Sequence, residues 1–467
     1  MDGGLELKKR KSLRFADVFA GLGGFHVALD ALGYECVFAS EIDQNLCGLY
    51  EANFGIKPLG DIREHWASVP EIDVLCAGFP CQPFSKAGCQ KGLSCPDSGD
   101  LFGFIALILQ HRTPEFLILE NVPNLVRHDG GDTWRHMSGR LVELGYEVDC
   151  QIMSPVMFGV PQKRDRAIIV GRLKAAGGLT GFEWPKPSHN EESVTIVSVL
   201  DEFPNDATSL PQALQDSLSV WEEFLQLIPS DRPLPSFPIW AMEFGASYPF
   251  EEREPLAFSV RDLSKYHGQF GQSLGGLSRA EQTKLLPPYV RKTSGPLPEW
   301  KKRFIRQNRN FFEEYRELLE PWLPKLLDHP ASFQKLEWNW KQGDRTIWNK
   351  IVQFRASGIR VKRPNVAPSL VALTTSQIPV VTWEKRYMTM RECARLQSLG
   401  ELNHLPASKT KAHHALGNAV NSKVIEAVAE ALLSIKERKV LPWQSCDEPN
   451  MPRTTTTSAD APSAICA

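Results

Sequence analysis

Cys81 lies between two prolines in Gly78-Phe79-Pro80-Cys81-Gln82-Pro83-Phe84-Ser85, directly after the apolar run Val74-Leu75-Cys76-Ala77. Such a run ending in a Gly/Pro-rich loop reads as a buried strand whose carboxyl end presents the thiol. The flanking prolines fix the backbone on either side of it. A free cysteine is usually a small buried hydrophobe, so the setting, more than the residue type, marks Cys81 as a nucleophile. Glu120-Asn121-Val122 closes a second apolar run and places a carboxylate at a strand end, where it can bond a substrate and hold or donate a proton. Gln162-Lys163-Arg164-Asp165-Arg166 precedes a third. Alone it would be a solvated charged turn; in a cleft its arginines suit a phosphate or a carbonyl oxygen.

A fourth group suits a nucleoside. Asp17-Val18-Phe19-Ala20-Gly21-Leu22-Gly23-Gly24 allows close main-chain approach, although a plain tight turn would read the same. A dinucleotide site would require G-x-G-x-x-G. The third glycine position is His26, whose side chain is expected to crowd a diphosphate. Glu41 follows a strand and suits a ribose diol; Asp61, in Gly60-Asp61-Ile62, suits an adenine amino group. Turn, ribose acid and adenine acid in that order describe a cofactor such as S-adenosylmethionine.

The elements that must hold these residues alternate. Strands are expected at Arg14–Phe19, Glu35–Ser40, Val74–Ala77, Phe116–Glu120, Glu147–Met153 and Ala167–Val170. Helices are expected at Phe25–Leu32, Gln44–Asn53, Leu101–Gln110 and Asp132–Leu144. That rhythm predicts a parallel sheet covered on both faces. From Gly177 to Trp383 it is lost: only helices at Leu214–Leu227 and Phe311–Leu319 and a strand at Ser369–Thr374 are expected. Helices return at Arg391–Gln397 and Ser422–Ile435, and the Thr/Ser/Pro-rich 452–467 reads as a disordered tail. A chain of 467 residues divides into about two domains. Net charge is −2, so contact with a polyanion must come from local patches. Ten scattered cysteines without C-x-x-C or zinc spacing give no metal site or disulfide framework. No apolar run is long enough to span a bilayer and no signal h-region is visible, so a cytoplasmic protein is expected.

In this order the motifs resemble those of the cytosine-C5 DNA methyltransferases. The resemblance rests on Phe19-Ala20-Gly21-Leu22-Gly23, the Cys81 loop, Glu120-Asn121-Val122, Gln162/Arg164/Arg166, Arg391-Glu392-Cys393-Ala394-Arg395-Leu396-Gln397 and Gly417-Asn418-Ala419-Val420. It covers about 15–173 and 389–433. Ser94-Cys95-Pro96 is extra, and Gly99 stands where the family commonly has arginine.

The resemblance implies an α/β fold: a doubly wound, mostly parallel sheet of the S-adenosylmethionine-dependent methyltransferase type, with a smaller irregular target-recognition domain. Residues 13–173, completed by 412–438, form the catalytic and cofactor-binding domain, 177–383 the target-recognition domain and 384–411 the hinge. Cys81, Glu120, Arg164 and Arg166 become catalytic; Phe19, Gly21, Gly23, Glu41, Asp61, Ile62, Pro80 and Asn418 become cofactor-binding, with no metal. The expected partner is double-stranded DNA, met by a monomer. A cognate restriction endonuclease would act on the same site without a stable complex. Two basic stretches in the middle region, 291–309 and Arg355/Arg360/Lys362/Arg363, are the expected DNA contacts. Segments 334–339 and 359–364 resemble family members that recognise short GG/CC-flanked sites. A tRNA methyltransferase would not need so large an insert, and a silent DNA-binding regulator would show erosion at Cys81, Glu120 or Arg166.

Overall fold

The computed structural model describes residues 12–80, 101–291, 295–340 and 343–436. Cys81, the Ser94-Cys95-Pro96 stretch, Gly99, Lys292 and the 452–467 tail lie outside the described residues.

The first half builds β1 (Arg14–Val18), α1 (Gly24–Asp30), β2 (Glu35–Ser40), α2 (Gln44–Phe54), β3 (Val74–Ala77), α3 (Leu101–Arg112), β4 (Phe116–Asn121), α4 (Asp132–Glu143), β5 (Tyr146–Met153) and β6 (Arg166–Leu173). The strands form one sheet in the order β2-β1-β3-β4-β6-β5. β1 pairs in parallel with β2 and β3, as does β3 with β4. The sheet is mostly parallel, as expected; β6 alone runs antiparallel, between β4 and β5. The link from β5 to β6 carries a single 3-10 turn, Pro155–Phe158, and a parallel return needs a longer crossover.

Every residue of β3 and β4 is buried, as expected of strands covered on both faces. Leu75, Ala77, Leu117 and Leu119 point into a cluster with Ile105 and Leu109 of α3 and Met137 and Leu141 of α4. Cys76, Phe116 and Ile118 point the other way, toward Phe25 and Leu29 of α1.

The middle region is more regular than its sequence suggests. α5 (Gln212–Leu227) and α6 (Glu299–Glu314) accompany a second sheet of β7 (Ile239–Trp240), β8 (Lys335–Trp338), β9 (Ile351–Arg355), β10 (Gly358–Val361), β11 (Val380–Val381) and β12 (Arg386–Tyr387). Their order is β12-β11-β9-β10-β8-β7. One face meets an aromatic cluster of Trp221, Phe224, Phe311, Phe312 and Trp322 through Leu336, Trp338, Val352, Phe354, Ile359 and Val361.

Two expectations are corrected here. The helix expected over Phe311–Leu319 is the end of α6 plus a separate turn, Arg316–Leu319. α6 escapes a periodicity reading because its inner face includes the buried Asn308. That side chain accepts from Trp240 N at 2.7 Å and donates to Pro238 O at 3.0 Å. No strand forms at Ser369–Thr374: the Leu370 carbonyl is taken by the Arg164 guanidinium at 2.7 Å. Close by, the main chain at Val371 and Ala372 lies so near Gly417 that a Cβ there would stand 2.4 Å from Ala372 N.

The chain then forms α7 (Met390–Arg395), α8 (Lys409–Asn418) and α9 (Ser422–Leu433). α9 returns to the first sheet, where Val424, Val428 and Leu432 join Phe25 and Leu29 on the α1 face.

Candidate active site

Three turns at strand ends meet at one edge of the first sheet. After β1 the backbone is left-handed at Phe19 (φ 61°), Gly21 (φ 55°) and Gly23 (φ 83°), a path that glycine accepts and phenylalanine adopts only under strain. A Cβ on Gly23 would stand 2.4 Å from the Phe54 ring, and one on Gly24 2.3 Å from Val420 O. One on Gly21 would meet nothing within 4 Å. Protein therefore presses on the turn at Gly23 and Gly24 and leaves it open at Gly21.

Glu41, just past β2, accepts from Gly21 N (Oε2, 2.9 Å) and from Asp43 N (Oε1, 2.9 Å). Each carboxylate oxygen retains a further lone pair, so the group can still accept from a diol. Glu41 N donates to Leu59 O at 3.0 Å and Ser40 Oγ to Gly60 O at 2.9 Å, which fixes Asp61 beside the same strand end. Asp61 caps the turn Ile62–His65. Its side chain is already engaged by Arg63, whose Nε donates at 2.7 Å and whose guanidinium holds the Asp61 carboxyl below the usual range. The Ile62 side chain is only 2% exposed and belongs to the core. Ile42, between Glu41 and the helix-capping Asp43, is 63% exposed. Sequence reading passed over Arg63 and Ile42, although an acid two residues before an arginine at a helix start is a legible capping pattern.

The expectation for His26 needs correction. Its ring is not on the ligand side of the turn but buried, hydrogen-bonded to Tyr50 Oη at 2.7 Å and stacked on Phe54 with centroids 4.0 Å apart. Burial pushes its pKa down to about 4. Tyr50 Oη also donates to Asp17 Oδ2 at 3.2 Å, and burial pushes the Asp17 carboxyl well up. His26 thus fills the helix–sheet space that a third glycine would leave for close packing.

At the neighbouring strand end Asn121 Nδ2 donates to Phe79 O at 3.1 Å, joining the end of β4 to the segment through Pro80 that leads into Cys81. Glu120 is buried (8% exposed), and Arg166 Nε lies 3.0 Å from its Oε1. Burial raises the Glu120 carboxyl above its ordinary pKa, opposed by the charges of Arg166 and then Arg164. A carboxyl poised in this way can hold a proton against a base ring.

Arg164 lies in the turn that enters β6. It is 2% exposed. Nη1 donates to Leu370 O (2.7 Å) and Ser369 Oγ (3.4 Å), Nη2 to Gly417 O and Ala419 O (both 2.9 Å). The Gly417 and Ala419 carbonyls flank Asn418, an exposed residue that ends α8, and Val420 beyond it is the residue pressed against Gly24. Arg164 thus ties the β6 entry to the segment overlying the glycine turn.

Of the first basic stretch, Arg309 pairs inward with the buried Glu243 at 3.0 Å, and Lys301 and Lys302 donate to Tyr289 O and Glu251 O. Arg291 donates to Leu286 O and Lys284 O. Lys301, Lys302 and Arg309 tie α6 to its surroundings, and Arg291 bonds only the chain just before it; Arg303 and Arg306 remain exposed, Arg306 paired with Glu299 and Glu251.

Comparison with known proteins gives the family and the fold. The model of the C-5 cytosine-specific DNA methylases matches residues 13–227 and 290–434. Type II methyltransferase M.AluI of Cellulosimicrobium cellulans is 30% identical over 90% of this chain and 92% of its own. M.BanI of Aneurinibacillus aneurinilyticus is 30% identical over 90% and 95%. M.HaeII of Haemophilus aegyptius reaches 42%, over 49% of this chain and 69% of its own. A protein crystallised as a DNA modification methyltransferase encoded within an E. coli prophage shares the fold, with TM-score 0.50 and 16% identity over 91% of this chain and all of that one. No described helix is long and apolar enough to cross a membrane.

Proposed function

The chain belongs to the C-5 cytosine-specific DNA methylase family and is a DNA (cytosine-5-)-methyltransferase, and on that footing we propose how its residues divide the reaction. The observation that carries the proposal is the buried Glu120–Arg166 pair at the β4 end, joined through Asn121 to the segment that leads to Cys81.

The target is a cytosine in a short specific duplex sequence, flipped out of the helix because C5 cannot be reached in the stack. The Cys81 thiolate adds to C6, making C5 nucleophilic and splitting one hard step into two easier ones. Glu120 bonds N3 and the exocyclic amine, and its burial favours the protonated form that can donate to N3. Arg166 fixes Glu120 and faces O2. Arg164 acts as a positioning residue. S-adenosylmethionine fits the open Gly21 turn: Glu41 would take the ribose diol and Asp61 the adenine amine, Ile42 would cover the base, Phe19, Pro80 and Asn418 would complete the walls, and Gly23 and Ile62, packed against protein, would contribute main chain only. When bound, it supplies the methyl group. Loss of the C5 proton then expels Cys81.

Residues 13–173 with 412–438 carry this chemistry, 177–383 read the target and 384–411 connect them. The type II relatives favour the protective half of a restriction-modification pair, with the endonuclease acting separately on the same site, and a cytoplasmic monomer. Bisulfite sequencing of plasmid DNA from expressing cells should show 5-methylcytosine at one short motif. Duplex DNA with 5-fluorocytosine at that position blocks proton loss. It should form a detergent-stable adduct that requires S-adenosylmethionine and disappears in Cys81→Ala. Mapping of the adduct to Cys76 would overturn the assignment.

A further inference from the structure

Alternation along β9 and β10 sends Val352, Phe354, Ile359 and Val361 into the aromatic core, so Gln353, Arg355, Arg360 and Lys362 occupy the opposite face. That face is apolar at one end, where Ile351 and Val381 join Met388, Cys393 and Leu396 around α7. Further along it becomes cationic. Arg360 lies opposite Glu337 of β8 and Gln353 of β9, and Glu337 is shared by two guanidinium groups: Arg360 (Nε–Oε1, 3.0 Å) and Arg355. Among the described residues Lys362 has no ion pair or side-chain hydrogen bond. Two guanidinium groups thus share one carboxylate, with Lys362 half-buried two residues past Arg360; burial and Arg360 push its ammonium down, opposed by Glu337 and Glu191.

Like charges held together out of bulk water destabilise a fold unless an anion joins them. The location indicates which anion. Arg363, next along the chain, pairs with Glu191 at 3.4 Å, and Glu191 pairs at 3.6 Å with Lys163, the residue before Arg164. Ala367 and Pro368 then pair in parallel with Gln162 and Lys163. The cationic face therefore opens beside the turn that carries Arg166, on the side away from the α5/α6 layer.

We propose that Arg355, Arg360 and Lys362 form a phosphodiester-binding site that grips the DNA backbone next to the flipped base. The site rests on the reading of the chain as a duplex-DNA methyltransferase and adds to it where the strand is held. Glu337 keeps the two guanidinium groups oriented when DNA is absent and competes with the phosphate when it is present.

The test measures duplex affinity against salt for the full chain. Lys362→Gln should flatten the plot of log affinity against log salt by about one unit, and Lys362→Gln with Arg360→Gln by about two. Cofactor affinity should stay unchanged while KM for DNA rises, and the unfolding midpoint of Lys362→Gln should not fall, because a like charge has been removed. Glu337→Gln should tighten DNA binding at low salt, whereas loss of a purely structural counter-ion would weaken it. Unchanged salt slopes in both lysine variants, or weaker binding in Glu337→Gln, would overturn the proposal. Failure of the parent reading would show separately, as unmodified enzyme that leaves no 5-methylcytosine in DNA.

Discussion

Replacing Arg164 by methionine should be among the most disruptive changes outside the reacting groups. It leaves the Leu370, Gly417 and Ala419 carbonyls, all on buried residues, without their guanidinium donor. An unsatisfied buried acceptor costs about 1–3 kcal/mol, so three cost roughly 3–9. Removal of the desolvation penalty on the guanidinium offsets part of this, leaving a net loss of about 3–5 kcal/mol, the usual scale for breaking a buried charged network. Urea unfolding followed by circular dichroism would read it. Arg164→Lys keeps the charge but lacks the planar fork, and should recover only part of the loss. If Arg164 positions Asn418 over the glycine turn, S-adenosylmethionine affinity should fall at least tenfold in the lysine variant while it remains folded and its DNA salt slope is unaltered. A methionine variant within about 1 kcal/mol of wild type would mean that water serves these carbonyls and that no clamp exists.

Four further outcomes follow from the same geometry. Glu41→Ala removes the acceptor of Gly21 N and Asp43 N as well as the proposed diol ligand, so calorimetry should show S-adenosylmethionine binding weaker by about 1.5–3 kcal/mol; unchanged affinity removes Glu41 from the site. Gly24→Ala drives a Cβ against Val420 O and should loosen α9 and cofactor binding together, visible as faster amide exchange in both segments. His26 is held neutral, its pKa pushed from 6.5 to about 4 by burial. The unfolded chain takes up its proton first as pH falls, so the contribution of His26 is complete above about 6.5 and declines toward 4, by up to ~3 kcal/mol; His26→Phe should flatten that part of the stability–pH curve. Glu120 is held above its ordinary pKa by burial, so its contribution is greatest below that ordinary value and declines as pH rises through the raised one. Arg166→Met removes the largest opposing charge and should move any Glu120-dependent limb of the kcat profile to higher pH; a shift to lower pH would refute the pairing.

Residues placed by local chain geometry at strand ends were legible. The glycine turn, Glu41 at the end of β2 and Glu120 at the end of β4 sit where a strand stops, and alternation with turn residues marks such stops. Roles set by distant partners were not. Arg164 reads as one of two equivalent arginines, yet its acceptors lie 205–255 residues away, and no local pattern reports that. The same holds for His26, whose partners Tyr50 and Phe54 come from α2. In the middle region, two-residue strands such as β7, β11 and β12 are too short to show alternation. α6 was misjudged because Asn308 and Arg309 turn charge-rich helix into core by bonding Trp240 N and Glu243.

The turn from Gln162 to Arg166 would couple the proposed chemistry to the proposed recognition. Successive side chains serve different segments: Lys163 reaches Glu191, itself paired with Arg363 beside β10; Arg164 holds α8; Arg166 holds Glu120. A shift of the middle region relative to the first sheet would reach the carboxylate through one short piece of backbone. The antiparallel β6 makes this stiff, because it is bonded along its length to β4 on one side and β5 on the other. Motion therefore has to be taken up in side chains. Of the three, Lys163 has the weakest hold, its ion pairs at 3.3 and 3.6 Å and its side chain 37% exposed, while Arg164 is fixed by four acceptors. If the cationic face holds DNA as proposed, the Lys163–Glu191–Arg363 pairs can rearrange without displacing Asn418 or Glu120, so the proposed cofactor and base sites would stay in register while the duplex is engaged.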